Sequence, residues 1–334
     1  MYSKKLWKTY VWGILTMMVC GSPYAQKQII FDTDFGGDAD DLGALAMLNH
    51  FHNKDEMELV AVMCWNLEQY AASAIDAVNT YYGNPDIPIG LRAGKIEAID
   101  WNHSEILADK LPHDVSYKNI PEATDLYRRL LAQSPKKQMT IVTVGPLMNI
   151  KKLIDSEGDA HSPLNGRDLI KAKVKEFVIM GGQFPSGERR EWNFDGNMPG
   201  VTQYVLESLD VPITFSGYEI GVNLKTGEVF NDLHQNSPLY LGFYHFSKHA
   251  PWMKDQFKGK IFDNSTYDQT AVLYAVRGGV GDYWDRVANG ICIPDSEGRN
   301  TWKIVDSSQQ SYLVLKWPKA QMEAELEKFM LGNF

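Results

Sequence analysis

Apolar residues along this chain fall mainly in short continuous runs. The runs 29–31, 59–64, 87–91, 139–144, 177–180 and 211–215 are rich in Val, Ile, Met and Phe and are bounded by Gly, Pro, Asp or Asn. Continuous rather than alternating apolar runs predict strands buried on both faces. Between them, segments beginning near 42 and ending near 50–53, at 71–82 and at 201–209 predict helices, as do 270–276 and the tail 321–329. The aromatic-rich stretch 237–267 is also expected to be helical. Strands alternating with helices imply parallel βαβ units. The expected fold is therefore α/β, a mostly parallel, Rossmann-like open central sheet with helices on both faces. In such sheets ligands lie at the carboxyl ends of the strands. The turn after run 29–31, Asn66, and the Gly145 and Gly181 loops are expected to meet at that edge.

The turn after run 29–31 is the most informative part of the chain. It reads Asp32-Thr33-Asp34-Phe35-Gly36-Gly37-Asp38-Ala39-Asp40-Asp41, immediately before a helical pattern. Acidic groups are favoured at a helix N-terminus, yet five carboxylates on one turn repel one another strongly. A bound cation explains the pattern. No His or Cys accompanies these oxygens, which favours a hard ion, Ca²⁺ or Mg²⁺, over zinc.

Composition narrows the field further. The chain has 334 residues, 44% hydrophobic and 22% charged, with a formal net charge of −9. These values suit a globular protein and, with no basic stripe, argue against nucleic acid as a partner. Lys4, Lys5 and Lys8 precede an apolar stretch at 11–20 that is too short to span a membrane. With a cleavage stretch at 22–25, it reads as a signal peptide over 1–25. Residues 26–334 then form one domain in a periplasmic or secreted protein, the catalytic one if its motifs carry chemistry. Cys20 offers a lipoprotein alternative, against which the bulky Val19 counts. Cys64 and Cys292 would remain, and two cysteines read as buried thiols rather than a disulfide framework. The histidines show no metal-ligand spacing.

Several motifs, in order, resemble the inosine–uridine-preferring nucleoside hydrolases. They are Asp32-Thr33-Asp34 with Asp40-Asp41-Leu42-Gly43-Ala44-Leu45, then Asn66, Val144-Gly145-Pro146-Leu147-Met148-Asn149, Met180-Gly181-Gly182, Glu191-Trp192-Asn193 and Tyr267-Asp268. The chain departs from the family pattern at several places. Phe35 stands where Pro is usual, two residues are inserted around Gly37-Asp38, Met148 replaces Thr, Trp192 replaces Phe and Tyr267 replaces His.

The resemblance implies a small-molecule nucleoside or ribosyl substrate, a Ca²⁺ cofactor, and a dimer or tetramer. It implies Asp34, Asp41, Asp268 and the Met148 carbonyl as metal ligands. Asp34 would also be the general base toward a metal-bound water attacking the anomeric carbon. Asp32 would hold the turn. Asp40, Asn66, Glu191 and Asn193 would hold ribose hydroxyls, with the inserted Asp38 competing with Asp40. Trp192 would line the substrate pocket, and Tyr267 would stand at the leaving-group donor position. Asp268 alone also fits a helix N-cap. Arg189-Arg190 reads either as a solvated loop or as a phosphate contact.

The expected reaction is calcium-dependent hydrolysis of the N-ribosidic bond to free base and ribose. Alternatives are another ribosyl or glycosyl compound at the same site, or a non-catalytic calcium-dependent sugar-binding protein. A haloacid-dehalogenase-like phosphatase also places DxD after a strand. It requires Thr or Val where this chain has Gly36.

Overall fold

The computed structural model describes residues 26–334 apart from residues 100 and 280. The expected signal peptide and Cys20 lie outside the described residues. The strands are β1 (Lys27–Thr33), β2 (Met57–Cys64), β3 (Ile89–Leu91), β4 (Met139–Thr143), β5 (Val174–Met180), β6 (Ser186–Gly187), β7 (Ile213–Ser216), β8 (Lys225–Thr226), β9 (Asn264–Ser265), β10 (Trp284–Val287), β11 (Gly290–Pro294), β12 (Asn300–Ile304) and β13 (Gln310–Leu315).

Eight strands form the central sheet in the order β10-β13-β7-β5-β4-β1-β2-β3. All neighbours are parallel except β10 and β13. The apolar runs are buried on both faces because successive side chains point to opposite sides. In β1, Ile29 and Phe31 face one core and Ile30 the other. In β5, Val178 and Met180 face the first core, Phe177 and Ile179 the second. The first core is closed by helices Asp40–Asn53, Ala71–Tyr81, Pro238–His249, Asp268–Arg277 and Lys319–Met330. The second is closed by Ala123–Gln133, Met148–Asp155, Gly166–Lys173 and Val201–Ser208. Cys64 and Cys292 are buried free thiols. Among the described residues no helix is long and apolar enough to cross a membrane.

Strand order reverses direction at β1. The chain runs outward from β1 to β2 and β3 on one side, then returns to place β4 on the other. This switch point opens a crevice at the carboxyl ends of β1 and β4.

Two sequence expectations need correction. Within 237–267, the long helix is confined to Pro238–His249, followed by a short 3₁₀ turn, Lys254–Gln256, and β9. Pro251 and Gly259 interrupt the aromatic-rich stretch. Asp268 is not an N-cap: Tyr267 holds that position and Asp268 is the first helical residue.

Helix Ala123–Gln133 is anchored by Arg128, only 3% exposed. Its guanidinium donates to Asp159 Oδ2 at 2.6 Å and Oδ1 at 3.0 Å, to Ser156 Oγ, and to the carbonyls of Ser162 and Leu164. Arg128→Met would leave these acceptors without their donor. The expected loss of unfolding free energy in urea denaturation is about 3 kcal/mol. An unchanged midpoint and slope would show that the anchor carries no stability.

Candidate active site

Two glycines and one amide shape the crevice. Val144 N donates to Asp32 O and Trp65 N to Thr33 O, each at 2.8 Å, so the exits of β4 and β2 flank Asp34. A Cβ on Gly145 would lie 2.8 Å from the Asp34 amide nitrogen, so the Gly145 loop can approach only without a side chain. Gly36 has φ +117°, and a Cβ there would lie 2.3 Å from Ser104 Oγ. The turn therefore folds back onto the segment 102–104. Asn66 Nδ2 ties it to β2 by donating to the carbonyls of Asp34 and Phe35, and Asn66 Oδ1 accepts from Glu68 N.

The carboxylates converge from two helix starts. Asp40 and Asp41 open helix Asp40–Asn53, and Asp268 opens Asp268–Arg277. Asp40 Oδ2 accepts from the backbone N–H groups of Tyr267 (3.1 Å) and Asp268 (3.3 Å), and Oδ1 from Asp41 N. One helix start thus satisfies orphan donors of the other. Thr33 Oγ1 donates to Asp41 Oδ1. Ligand atoms of Asp38, Asp40 and Asp41 lie within 4.8 Å of one another.

Burial is the first cause of the perturbed acidities here, with mutual repulsion adding to it. The carboxyls of Asp38, Asp41 and Asp268 are held well above the ordinary range, by burial and by the charges of Asp40 and their other neighbours. Asp34 is raised to about 6 by burial, against the lowering hydrogen bond from Trp192. Asp32 points away from this group. Its oxygens accept from Tyr127 OH at 2.8 Å and Asn149 Nδ2 at 3.0 Å, and burial raises it to about 7. Neither Tyr127 nor Asn149 had been assigned a role from sequence. Asn149 sits inside the quoted Gly145 motif, whereas Tyr127 lies among leucines on an amphipathic helix and gives no signal.

The opposite wall comes from the loop after β5. Glu191 caps the short helix Trp192–Asp195. Its Oε1 accepts from Asn193 N and its Oε2 from Gly182 N and Phe194 N, and burial raises it to about 7. Asn193 Nδ2 donates to the carbonyls of Val144 and Met180, joining the exits of β4 and β5. Much of the hydrogen-bonding capacity of Asn66, Glu191 and Asn193 is thus engaged with the main chain, and these residues also build the walls. Trp192 is 47% exposed and its indole N–H donates to Asp34 Oδ2 at 2.7 Å. Its ring packs edge-on against Trp65, which Arg92 covers. The Tyr267 ring stacks on Tyr218 at 5.5 Å, and burial raises its phenol above its usual value. Met148 is the first residue of helix Met148–Asp155, three residues after Gly145, which lies against Asp34.

The arrangement gathers Asp34, Asp38, Asp40, Asp41 and Asp268 at one crevice, with Asn66, Trp192, Asn193, Glu191 and Tyr267 around it. The donor set is oxygen only and strongly anionic, which fits a hard divalent cation.

Comparison with known proteins agrees with this geometry. Residues 29–320 match the profile of the family described as inosine-uridine preferring nucleoside hydrolase. No curated protein sequence matches the chain. Among solved structures, the chain is similar to a purine-preferring ribonucleoside hydrolase from Gardnerella vaginalis, with TM-score 0.69, 15% identity, and 92% of this chain and 98% of that chain covered. It is also similar to an inosine-uridine preferring nucleoside hydrolase from Bacillus anthracis, with TM-score 0.63, 18% identity, and coverage of 92% and 100%. A plant nucleoside hydrolase matches with TM-score 0.65, 17% identity, and coverage of 92% and 99%. The match over most of its length places this chain in the inosine–uridine-preferring nucleoside hydrolase family, as a glycosidase of N-ribosyl bonds.

Proposed function

We propose that this protein hydrolyses the N-ribosidic bond of ribonucleosides to free base and ribose, with Asp34 as general base and Ca²⁺ as cofactor. The observation that carries this reading is the position of Asp34. It lies at the carboxyl end of β1, at the switch point, between the exits of β2 and β4, and among four further carboxylates. Asp34, Asp41, Asp268 and the Met148 carbonyl would hold the ion. A mixed shell of carboxylates and a carbonyl suits Ca²⁺ better than the strict octahedron of Mg²⁺. When bound, the ion offsets the repulsion among these groups and makes water at the site more acidic.

The protein's own residues account for the remaining tasks. Asp34 Oδ2 is held by the Trp192 indole, which fixes the carboxylate plane and leaves Oδ1 to accept a proton from the attacking water. Attack at the anomeric carbon gives oxocarbenium character to the ribosyl group. Asp38 or Asp40 would receive ribose hydroxyls, with Asn66, Glu191 and Asn193 setting the walls of the sugar pocket. Burial makes the Tyr267 phenol a weaker acid than usual, so its role toward the departing base is a hydrogen bond rather than full proton transfer. The leader-like sequence at 1–25 supports a periplasmic or secreted location for the reaction.

The direct test is base release from a panel of ribonucleosides by the protein from Gln26 onward. Release is expected with added Ca²⁺ and is expected to stop with excess chelator. Asp34→Asn should lower turnover by about 10²-fold or more. Near-normal turnover in that variant would overturn the assignment of the base. If calcium and nucleoside bind without any base release, the sugar-binding alternative replaces this one.

A second expectation concerns pH. In chelator, Asp34 at about 6 and Asp32 and Glu191 at about 7 bind protons more tightly folded than unfolded. Between the ordinary carboxylate value near 4 and that range, the folded chain keeps protons that the unfolded chain has released. Stability of the chelated protein should therefore fall as pH rises through about 4 to 7, and Ca²⁺ should flatten the decline. Thermal melting across this window checks both parts, and a melting temperature that rises from pH 4 to 7 in chelator would contradict them.

A further inference from the structure

We infer that Arg189 forms an anion subsite at the mouth of the crevice and that the preferred substrate carries a phosphate on its ribosyl group. The inference rests on the ribosyl-hydrolase reading and names the substrate class of that same site.

Arg189 and Arg190 are adjacent and both exposed, yet the structure uses them differently. Arg190 is fully engaged: its guanidinium pairs with Asp195 at 2.6 Å and donates to Asn197 Oδ1. Arg189 forms no ion pair among the described residues. Its guanidinium lies over the Tyr218 ring, 4.5 Å from the centroid, and its one side-chain hydrogen bond is to Tyr218 OH at 2.8 Å. Tyr218 in turn stacks on Tyr267, whose backbone N–H donates to Asp40. A stacked aromatic pair thus carries the cation from the rim to the carboxylate cluster.

Two physical points make this a site for a ligand anion. A guanidinium near an excess of carboxylates ordinarily pairs with one, yet Arg189 pairs with none among the described residues, and two acids of the surrounding walls are committed to main-chain donors. Glu191 accepts from three backbone N–H groups and Glu219 from Phe184 N. The contact with Tyr218 also orders the planar fork in advance while leaving most of its N–H donors free, the arrangement suited to bidentate contact with phosphate oxygens. The loop that carries Arg189 also carries Glu191 and Asn193, which line the sugar pocket in the reading above. The anion is assigned to the ribose because Arg189 lies on the Glu191–Asn193 loop, although its ring contacts reach toward Tyr267 at the base end.

The test is calorimetric binding of ribose 5-phosphate and ribose to the Ca²⁺-loaded protein, with Arg189→Ala and Arg190→Ala as the variants. Ribose 5-phosphate is expected to bind about tenfold more tightly than ribose, which corresponds to ~1.4 kcal/mol. Arg189→Ala should bring that ratio close to one, and Arg190→Ala should preserve it. Equal binding of the two sugars by the unmodified protein, or a preference that survives Arg189→Ala, would overturn the subsite. So would inorganic phosphate binding as tightly as ribose 5-phosphate, since that marks an anion sink unconnected to the sugar. Base release from a nucleoside and its 5′-monophosphate is followed separately. A binding preference without turnover would remove the hydrolase reading and leave the subsite standing, and turnover without the preference would do the reverse.

Discussion

Repulsion among carboxylates buried at one strand-to-helix turn is the constraint to which the rest of this structure answers. Asp38, Asp40 and Asp41 lie within ligand reach of one another, and Asp34 and the distant Asp268 feel the charge of the same group. Burial and like charge both oppose the ionisation of Asp34, Asp38, Asp41 and Asp268. The fold opposes this with directed donors: the backbone N–H groups at the start of one helix, the Thr33 hydroxyl and the Trp192 indole. These donors fix geometry, but they are neutral groups and cannot balance the charge. A hard divalent cation does both, and this is why a metal-dependent glycosidase site is the natural use of such a turn.

The sheet makes the convergence possible. Because β1 lies at the switch point, its exit is flanked by β2 and β4 rather than covered by a crossover helix. Gly145 lets the β4 exit approach the Asp34 backbone, and Asn193 joins the β4 and β5 exits from the opposite wall. Asp32 anchors the turn from beneath through Tyr127 and Asn149. The result is a floor with an aromatic rim of Trp192 and the stacked Tyr218–Tyr267 pair. Trp192 touches Asp34 directly, and Tyr267 reaches Arg189 only through Tyr218.

The central strands and the acidic turn were legible in the sequence because both signals are local. A strand buried on both faces is a short apolar run whatever its partners, and five aspartates in ten residues need no tertiary context to be noticed. The C-terminal strands β10 to β13 were not legible. Several of their residues face solvent, including Ile293, Ile304 and Val314, so the segment lacks a core pattern. Helix Ala123–Gln133 escaped notice as well, and with it Tyr127. Asp268 illustrates a different limit: its motif was visible, but its relation to Asp40 depends on a contact between residues more than 200 positions apart.

Whether a cation balances these carboxylates is decided by calorimetric titration of chelator-stripped protein with Ca²⁺ near pH 7, in buffers of different ionisation enthalpy. Saturable binding of one ion per chain with release of protons is expected, because burial and repulsion raise these carboxyls above their ordinary range and the ion reverses that. Absence of binding, or binding with no proton release, would contradict it.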